Sequence, residues 1–136
     1  DGANLVIVCK DCDDEKKSHV NSYSYSYNAP ASPYANFIEF NTKPINDRKG
    51  KENHLRASAA AINPVTNEVY MISSIQKMLV IFSKDGRFLN YYDLDPGIYK
   101  QPEGIAFTPE GDLIISNEFA EEGTANLLIM KNKLKK

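Results

Sequence analysis

The side chains best suited to chemistry in this sequence are oxygen donors between residues 103 and 118. Glu103 precedes Gly104, which lets the backbone approach a bound ion closely, and Asn117 and Glu118 follow an apolar run. Carboxylate and amide oxygens without a neighbouring histidine favour calcium over zinc or copper. Calcium takes roughly six to eight oxygen ligands, so backbone carbonyls, water or other parts of the protein must complete such a site. The alternative interpretation is that Glu103 caps backbone amides and that Glu118 is solvated.

A second cluster of polar and reactive side chains lies at residues 9–17, Cys-Lys-Asp-Cys-Asp-Asp-Glu-Lys-Lys. Cys9 and Cys12 have the spacing of half a zinc site, but the sequence has no second cysteine pair and only two histidines, His19 and His54. The acidic residues lack the glycine and the spacing of an EF-hand, and the cluster has no thioredoxin-like context. A charged surface loop is the simplest interpretation, and it fits both a disulfide in an oxidising compartment and two free thiols.

Catalytic motifs do not occur in the sequence. It contains no Gly-x-Ser-x-Gly elbow, no His-Glu-x-x-His and no phosphate-binding loop, and neither histidine has a recognisable nucleophile beside it. The sequence therefore favours binding over catalysis.

Tyrosine and serine alternate over residues 22–27, so that a strand would present the rings of Tyr23, Tyr25 and Tyr27 on one face and the serine hydroxyls on the other. Aromatic faces with polar rims suit carbohydrate or peptide ligands, which makes Tyr23 and Tyr25 candidate ligand-binding residues. Packing between neighbouring sheets is the alternative, and the period-two alternation favours it.

An internal repeat positions these residues. Residues 57–73 and 102–116 each contain a run of small and apolar residues, a proline turn and a second apolar run, with a period of about 45 residues. Four short strands in a repeat of this length are typical of a β-propeller blade. Ser58 and Glu103 occupy equivalent positions near the strand that lines the channel of a propeller, so Ser58 is a further candidate ligand-binding residue.

The strand pattern predicts an all-β chain with about two and a half to three four-stranded propeller blades. We expect a blade without its first strand at residues 1–45, a complete blade at 55–95 and a blade without its outer strand at 101–134. Closed propellers have about four to eight blades, and an open set exposes strand edges and apolar faces. We therefore expect either a longer natural protein or self-association. The alternation predicts a core of Val69, Met71, Leu79, Ile81, Ile105, Phe107, Leu113 and Ile115.

The composition does not favour nucleic acid or membrane lipid as a partner. The chain is 42% hydrophobic and 25% charged with a net charge of −2, so no basic excess is available for nucleic acid or anionic lipid. No stretch approaches the roughly 20 apolar residues of a membrane span, so we expect membrane association only through an anchor outside this chain.

Four runs of sequence resemble the C-terminal half of the SdiA-regulated (YjiK-like) family. They are Arg-Ala-Ser-Ala-Ala-Ala-Ile-Asn-Pro at 56–64, Ile-Ser-Ser with Lys-Met-Leu-Val at 72–80, Leu-Asp-Pro-Gly-Ile-Tyr-Lys-Gln-Pro-Glu-Gly-Ile at 94–105, and Pro-Glu-Gly-Asp-Leu-Ile-Ile-Ser-Asn-Glu at 109–118. The run Pro-Glu-Gly-Ile-Ala-Phe alone also resembles NHL-repeat and gluconolactonase-type propellers.

This resemblance implies a propeller of about five or six blades, a periplasmic or outer-membrane-associated location in the bacterial envelope, and a calcium site. It also implies a role in binding a protein or a small molecule at the propeller channel. The alternative function is a calcium-dependent hydrolase of the phytase or lactonase propeller type, because those propellers act through calcium and carboxylates alone.

Overall fold

The computed structural model describes residues 4–12, 18–26, 28, 35–49, 54–118 and 124–133. Within these ranges the chain forms ten strands and one short helix. The elements are β1 (Asn4–Val8), β2 (His19–Ser26), β3 (Ala35–Asn41), α1 (Lys43–Lys49), β4 (Ala59–Ile62), β5 (Val69–Ser73), β6 (Met78–Phe82), β7 (Phe88–Asp93), β8 (Pro102–Phe107), β9 (Leu113–Asn117) and β10 (Asn126–Met130).

The strands form three antiparallel sheets, and each strand pairs with the next one in the sequence. The first sheet contains β1 to β3, the middle sheet β4 to β7, and the last sheet β8 to β10. The prediction of an all-β fold in small antiparallel sheets is therefore confirmed. The described residues do not form a closed propeller.

The repeat is visible in the turns that join the first two strands of the middle and last sheets. After β4, the side-chain Oδ1 of Asn63 accepts hydrogen bonds from the N–H groups of Val65 and Thr66. After β8, the Thr108 N–H donates to the Asp112 carbonyl at 3.0 Å, and Gly111 adopts a φ of 85°. Because a positive φ suits glycine, the sequence of this turn determines its geometry.

The middle sheet is covered on both faces. One face, with Met71, Val80 and Phe82, packs against Val20 and Phe40 of the first sheet. The Phe40 and Phe82 rings meet edge to face with their centroids 5.2 Å apart.

The opposite face packs against the last sheet through Ile72 and Leu79, which contact Ile115. All five residues of β6 are buried as a result. Of the eight residues predicted for the core, Val69, Met71, Leu79, Ile81 and Ile115 are buried, and Ile105, Phe107 and Leu113 are partly buried.

The turn between β6 and β7 docks on the first sheet through Gly86. The Asn41 N–H donates a hydrogen bond to the Gly86 carbonyl at 2.9 Å. Gly86 has a φ of +85°, and a Cβ there would collide with the Glu39 carbonyl and would lie 2.9 Å from Ile38 Cγ2. Only glycine fits this contact without moving the backbone of β3.

The two ends of this stack expose apolar side chains. On the first sheet, Leu5 and Ile7 are 44% and 39% exposed, and they face away from the middle sheet. On the last sheet, Leu127 and Ile129 of β10 are 66% and 57% exposed. The sheet faces that a neighbouring blade would cover in a propeller are therefore bare in the described part of the chain.

We predict that Gly86→Ala lowers the free energy of unfolding by about 1–3 kcal/mol, because the added Cβ combines an unfavourable φ with a backbone collision. Gly97→Ala is the matched control, since Gly97 has no positive φ and its nearest neighbour, Asp95 Oδ1, lies 3.2 Å from the added Cβ. Urea denaturation of both variants measures the difference. Equal stability of the two variants would contradict the proposed docking contact.

We also predict that the protein self-associates through the exposed face of β10. The removal of apolar surface from water drives such association, and the exposed side chains of Leu127 and Ile129 provide that surface here. Light scattering of the wild type and of the double variant Leu127→Lys, Ile129→Lys checks this. A wild-type protein that stays monomeric at high concentration would refute the prediction.

Candidate functional site

A polar cavity lies at the edge of the last sheet where β9 ends. It has a volume of about 220 Å³ and is lined by Gly97, Ile98, Lys100, Asn117, Glu118, Thr124 and Asn126. These residues come from three segments: the loop between β7 and β8, the end of β9 and the start of β10. Two of the three residues that the sequence nominated as metal ligands, Asn117 and Glu118, therefore share one cavity.

Asn117 connects the three segments. Its side chain is only 4% exposed. The Nδ2 group donates to the Ile98 carbonyl at 3.2 Å and to Asn126 Oδ1 at 2.9 Å. Because the Ile98 carbonyl can only accept a hydrogen bond, this contact fixes the orientation of the Asn117 amide.

The Oδ1 atom of Asn117 is buried and has no hydrogen-bond partner in the described part of the chain. A buried acceptor without a donor costs roughly 1–3 kcal/mol, and such groups are uncommon in folded proteins. A ligand that offers a hydrogen-bond donor or a cation would remove this cost. Asn117 is thus the residue of the cavity that points most directly to a ligand.

The loop between β7 and β8 is also held in place by hydrogen bonds within the protein that do not depend on Asn117. Asp95 accepts from the Gly97 N–H through Oδ1 at 2.8 Å and from the Tyr99 N–H through its carbonyl at 2.8 Å. The Lys77 ammonium donates to the Lys100 carbonyl. The wall of the cavity is therefore formed before any ligand binds.

The cavity carries charges of both signs. Glu118 and Lys100 both line it and are exposed to solvent. The Glu118 N–H donates to the Gln101 carbonyl at 2.8 Å, which extends the pairing of β8 with β9 and fixes the Glu118 backbone. Across the described residues, no three His, Cys, Asp or Glu side chains come together as a metal-binding group. A cation in this cavity would therefore depend on one carboxylate, amide and hydroxyl oxygens, and water.

Glu103, the third predicted ligand, lies on β8 outside the lining of this cavity. It is the extra residue of a β-bulge, because Pro102 pairs with Asn117 and Gly104 pairs with Ser116. The Ser116 hydroxyl occupies the space where a Cβ of residue 104 would lie. Glu103 is exposed, so its carboxylate is accessible to solvent or to a ligand.

Ser58 has a structural contact in this fold. Its Oγ accepts a hydrogen bond from the Ser74 N–H at 3.0 Å and so joins the start of β4 to the turn after β5. The hydroxyl is half-buried, and ligand binding there would compete with this bond.

Tyr23 and Tyr25 pair with Ile7 and Leu5 across β1 and β2, so they share the outer face of the first sheet. Both rings are half-buried, whereas Ser22 faces the middle sheet and is 1% exposed. The separation of tyrosines from serines that the alternation predicts is present for these residues. Tyr27, the third ring of the predicted stripe, lies outside the described residues.

The cysteines lie far from the cavity in sequence, on the loop after β1. The sulfur atoms of Cys9 and Cys12 are at disulfide distance, with their Cα atoms 6.1 Å apart. The Asp11 carboxylate forms an ion pair with Arg56 at 3.0 Å, which connects this loop to the segment before β4. Among the described residues, no helix is long and apolar enough to cross a membrane.

Asp112 is a buried acid that the sequence did not single out, but its oxygens are occupied. Oδ2 accepts from the Lys131 ammonium at 2.8 Å and Oδ1 from the Asn132 N–H at 2.9 Å. The hydrogen bond and the charge of Asp112 raise the pKa of Lys131 above its usual value. These contacts fasten the end of β10 to the turn before β9, so Asp112 has a structural role.

The sequence did not identify the cavity residues from the loop, Gly97, Ile98 and Lys100, or Thr124 and Asn126. The Asp95-Pro96-Gly97 turn marks a loop in the sequence, but nothing in it shows that the loop folds back onto β9. That contact depends on the Asn117 side chain, which reaches the Ile98 carbonyl across the sheet edge.

A comparison with models of known protein families found no match to this chain, and a comparison with curated proteins found none either. The interpretation of the cavity therefore rests on its own residues. The resemblance to the SdiA-regulated family stays a prediction from the sequence runs that carry it.

Proposed function

We propose that this protein is a binding module built from β-propeller blades, with the Asn117 cavity as its ligand site. The propeller interpretation is supported by three successive antiparallel sheets that stack face to face, together with a repeat of about 45 residues. The four-stranded middle sheet, with both faces covered, has the environment of a blade inside such a stack.

One observation carries the ligand site: Asn117, whose buried Oδ1 lacks a donor among the described residues, lines the same polar cavity as Glu118. A cation or a ligand with hydrogen-bond donors would satisfy both groups. Calcium is the cation that we propose, because the available donors are carboxylate, amide and hydroxyl oxygens. A small ligand with both a donor and an acidic group is the alternative occupant, since Lys100 would bind its acid.

A bacterial envelope location is part of the proposal. It is supported by the sequence resemblance and by the cysteine pair, because disulfides persist in oxidising compartments such as the periplasm. The net charge of −2 gives no support to a nucleic-acid partner, so a protein or a small molecule is the proposed ligand class.

Binding is favoured over catalysis by the chemistry of the cavity. Its described lining contains one carboxylate and one ammonium group, Glu118 and Lys100, and both are exposed. Hydrolysis by two carboxyl groups, one as acid and one as base or nucleophile, relies on environments that separate their pKa values. The lining residues of this cavity do not present such a pair.

We predict that the chain binds calcium weakly, with a dissociation constant of about 0.1–1 mM, since the described donors fall short of a full coordination shell. Glu118→Gln is expected to weaken binding by about tenfold, because the substitution removes the carboxylate and keeps the shape of the side chain. Isothermal titration with calcium measures the change, with magnesium as the competing cation.

Glu103→Gln is the matched control, because Glu103 lies on the neighbouring strand outside the cavity. Unchanged affinity in Glu103→Gln together with weaker binding in Glu118→Gln would place the ion in the cavity that Glu118 and Asn117 line. Weaker binding in Glu103→Gln with unchanged affinity in Glu118→Gln would instead place the calcium site at Glu103 on β8. Identical calcium isotherms for the wild type and for Glu118→Gln would reject this cavity as the calcium site.

A further inference from the structure

In the described part of the chain the first sheet has three strands and the middle sheet has four, and β4 is the strand of the middle sheet that has no counterpart in the first. In the middle sheet, β5 has β4 on one side and β6 on the other. In the first sheet, β1 pairs with β2, and no described strand pairs with its other edge. Within the described part of the chain β1 is thus an edge strand, and edge strands are places where another strand can pair.

An apolar groove runs beside this open edge, between the first and middle sheets. It has a volume of about 190 Å³ and includes Val6 and Ile38 on one side and Ala60 and Ile62 on the other. Phe40 also lines it and belongs to the core that joins the two sheets. The groove is thus a continuation of an interface that is already formed.

Two apolar side chains that line the groove are exposed although they lie between the first and middle sheets. The register places Ile62 opposite Val69, and Val69 belongs to the core shared with the first sheet. Ile62 therefore faces the first sheet, yet its side chain is 54% exposed, and Val6 across the groove is 37% exposed. On its other face, β4 contacts β8 of the last sheet.

We propose that the groove binds an extended segment of small, apolar residues that pairs with β1 and packs against β4. The partner strand would become the first strand of the first sheet and would pack against β4 in the way that β4 packs against β8. It would bury Val6 and Ile62. The chemistry of the partner follows from β4 and β8, whose sequences are Ala-Ala-Ala-Ile and Pro-Glu-Gly-Ile-Ala-Phe. Main-chain pairing supplies the affinity, and the groove selects small neutral side chains.

The probe is a fluorescently labelled peptide with the sequence of residues 57–63, Ala-Ser-Ala-Ala-Ala-Ile-Asn. We expect it to bind the wild-type chain in an anisotropy titration and to bind Val6→Lys about tenfold or more weakly. Leu5→Lys is the matched control, because Leu5 is adjacent on β1, is 44% exposed and lies on the opposite face of the strand. A peptide N-methylated at alternate residues should also bind more weakly, since it lacks half of the backbone donors.

Circular dichroism and thermal unfolding show whether Val6→Lys folds. If Val6→Lys does not fold, hydrogen exchange of the wild-type protein replaces the comparison of variants. The expected result is slower exchange of the β1 amides when the peptide is added. No binding by the wild type, or equal binding by Val6→Lys and Leu5→Lys, would overturn the proposal. A wild-type dimer that only Val6→Lys dissociates would also overturn it, because a second copy would then occupy the groove.

Discussion

The burial of the middle sheet on both faces is the constraint on which the rest of the structure depends. Side chains alternate across a strand, so β5 and β6 can be apolar on both sides only if another sheet covers each side. The first sheet supplies Val20 and Phe40, and the last sheet supplies Ile115. The stacking order of the sheets follows from this requirement, and so do the bare faces at the two ends.

Much of this fold could be predicted because its signals are local. The repeat, the proline turns and the alternation of residues indicate short antiparallel strands joined in sequence order. The extent of burial was harder to predict at single residues. Leu113 occupies a core position of the repeat and packs against the cluster of Ile72, Leu79 and Ile115, yet it is only partly buried.

The candidate site likewise contains residues that could be predicted from the sequence and residues that could not. Asn117 and Glu118 were nominated because polar residues at the end of an apolar strand are visible in the sequence. Their partners, the Ile98 carbonyl and Asn126, depend on how a loop and the next strand fold back, which residue types alone do not encode. Glu103 was nominated on the same grounds, but a β-bulge places it on β8 outside the lining of the cavity.

Pairing of each strand with the next one in the sequence has a consequence for synthesis on the ribosome. Contacts within a sheet close over short loops, so each sheet can form soon after its last strand emerges. The middle sheet, however, exposes the face with Ile72 and Leu79 until the last sheet has been translated. A nascent chain at this stage is prone to aggregation, and slow translation after residue 93 would prolong its exposure to chaperones.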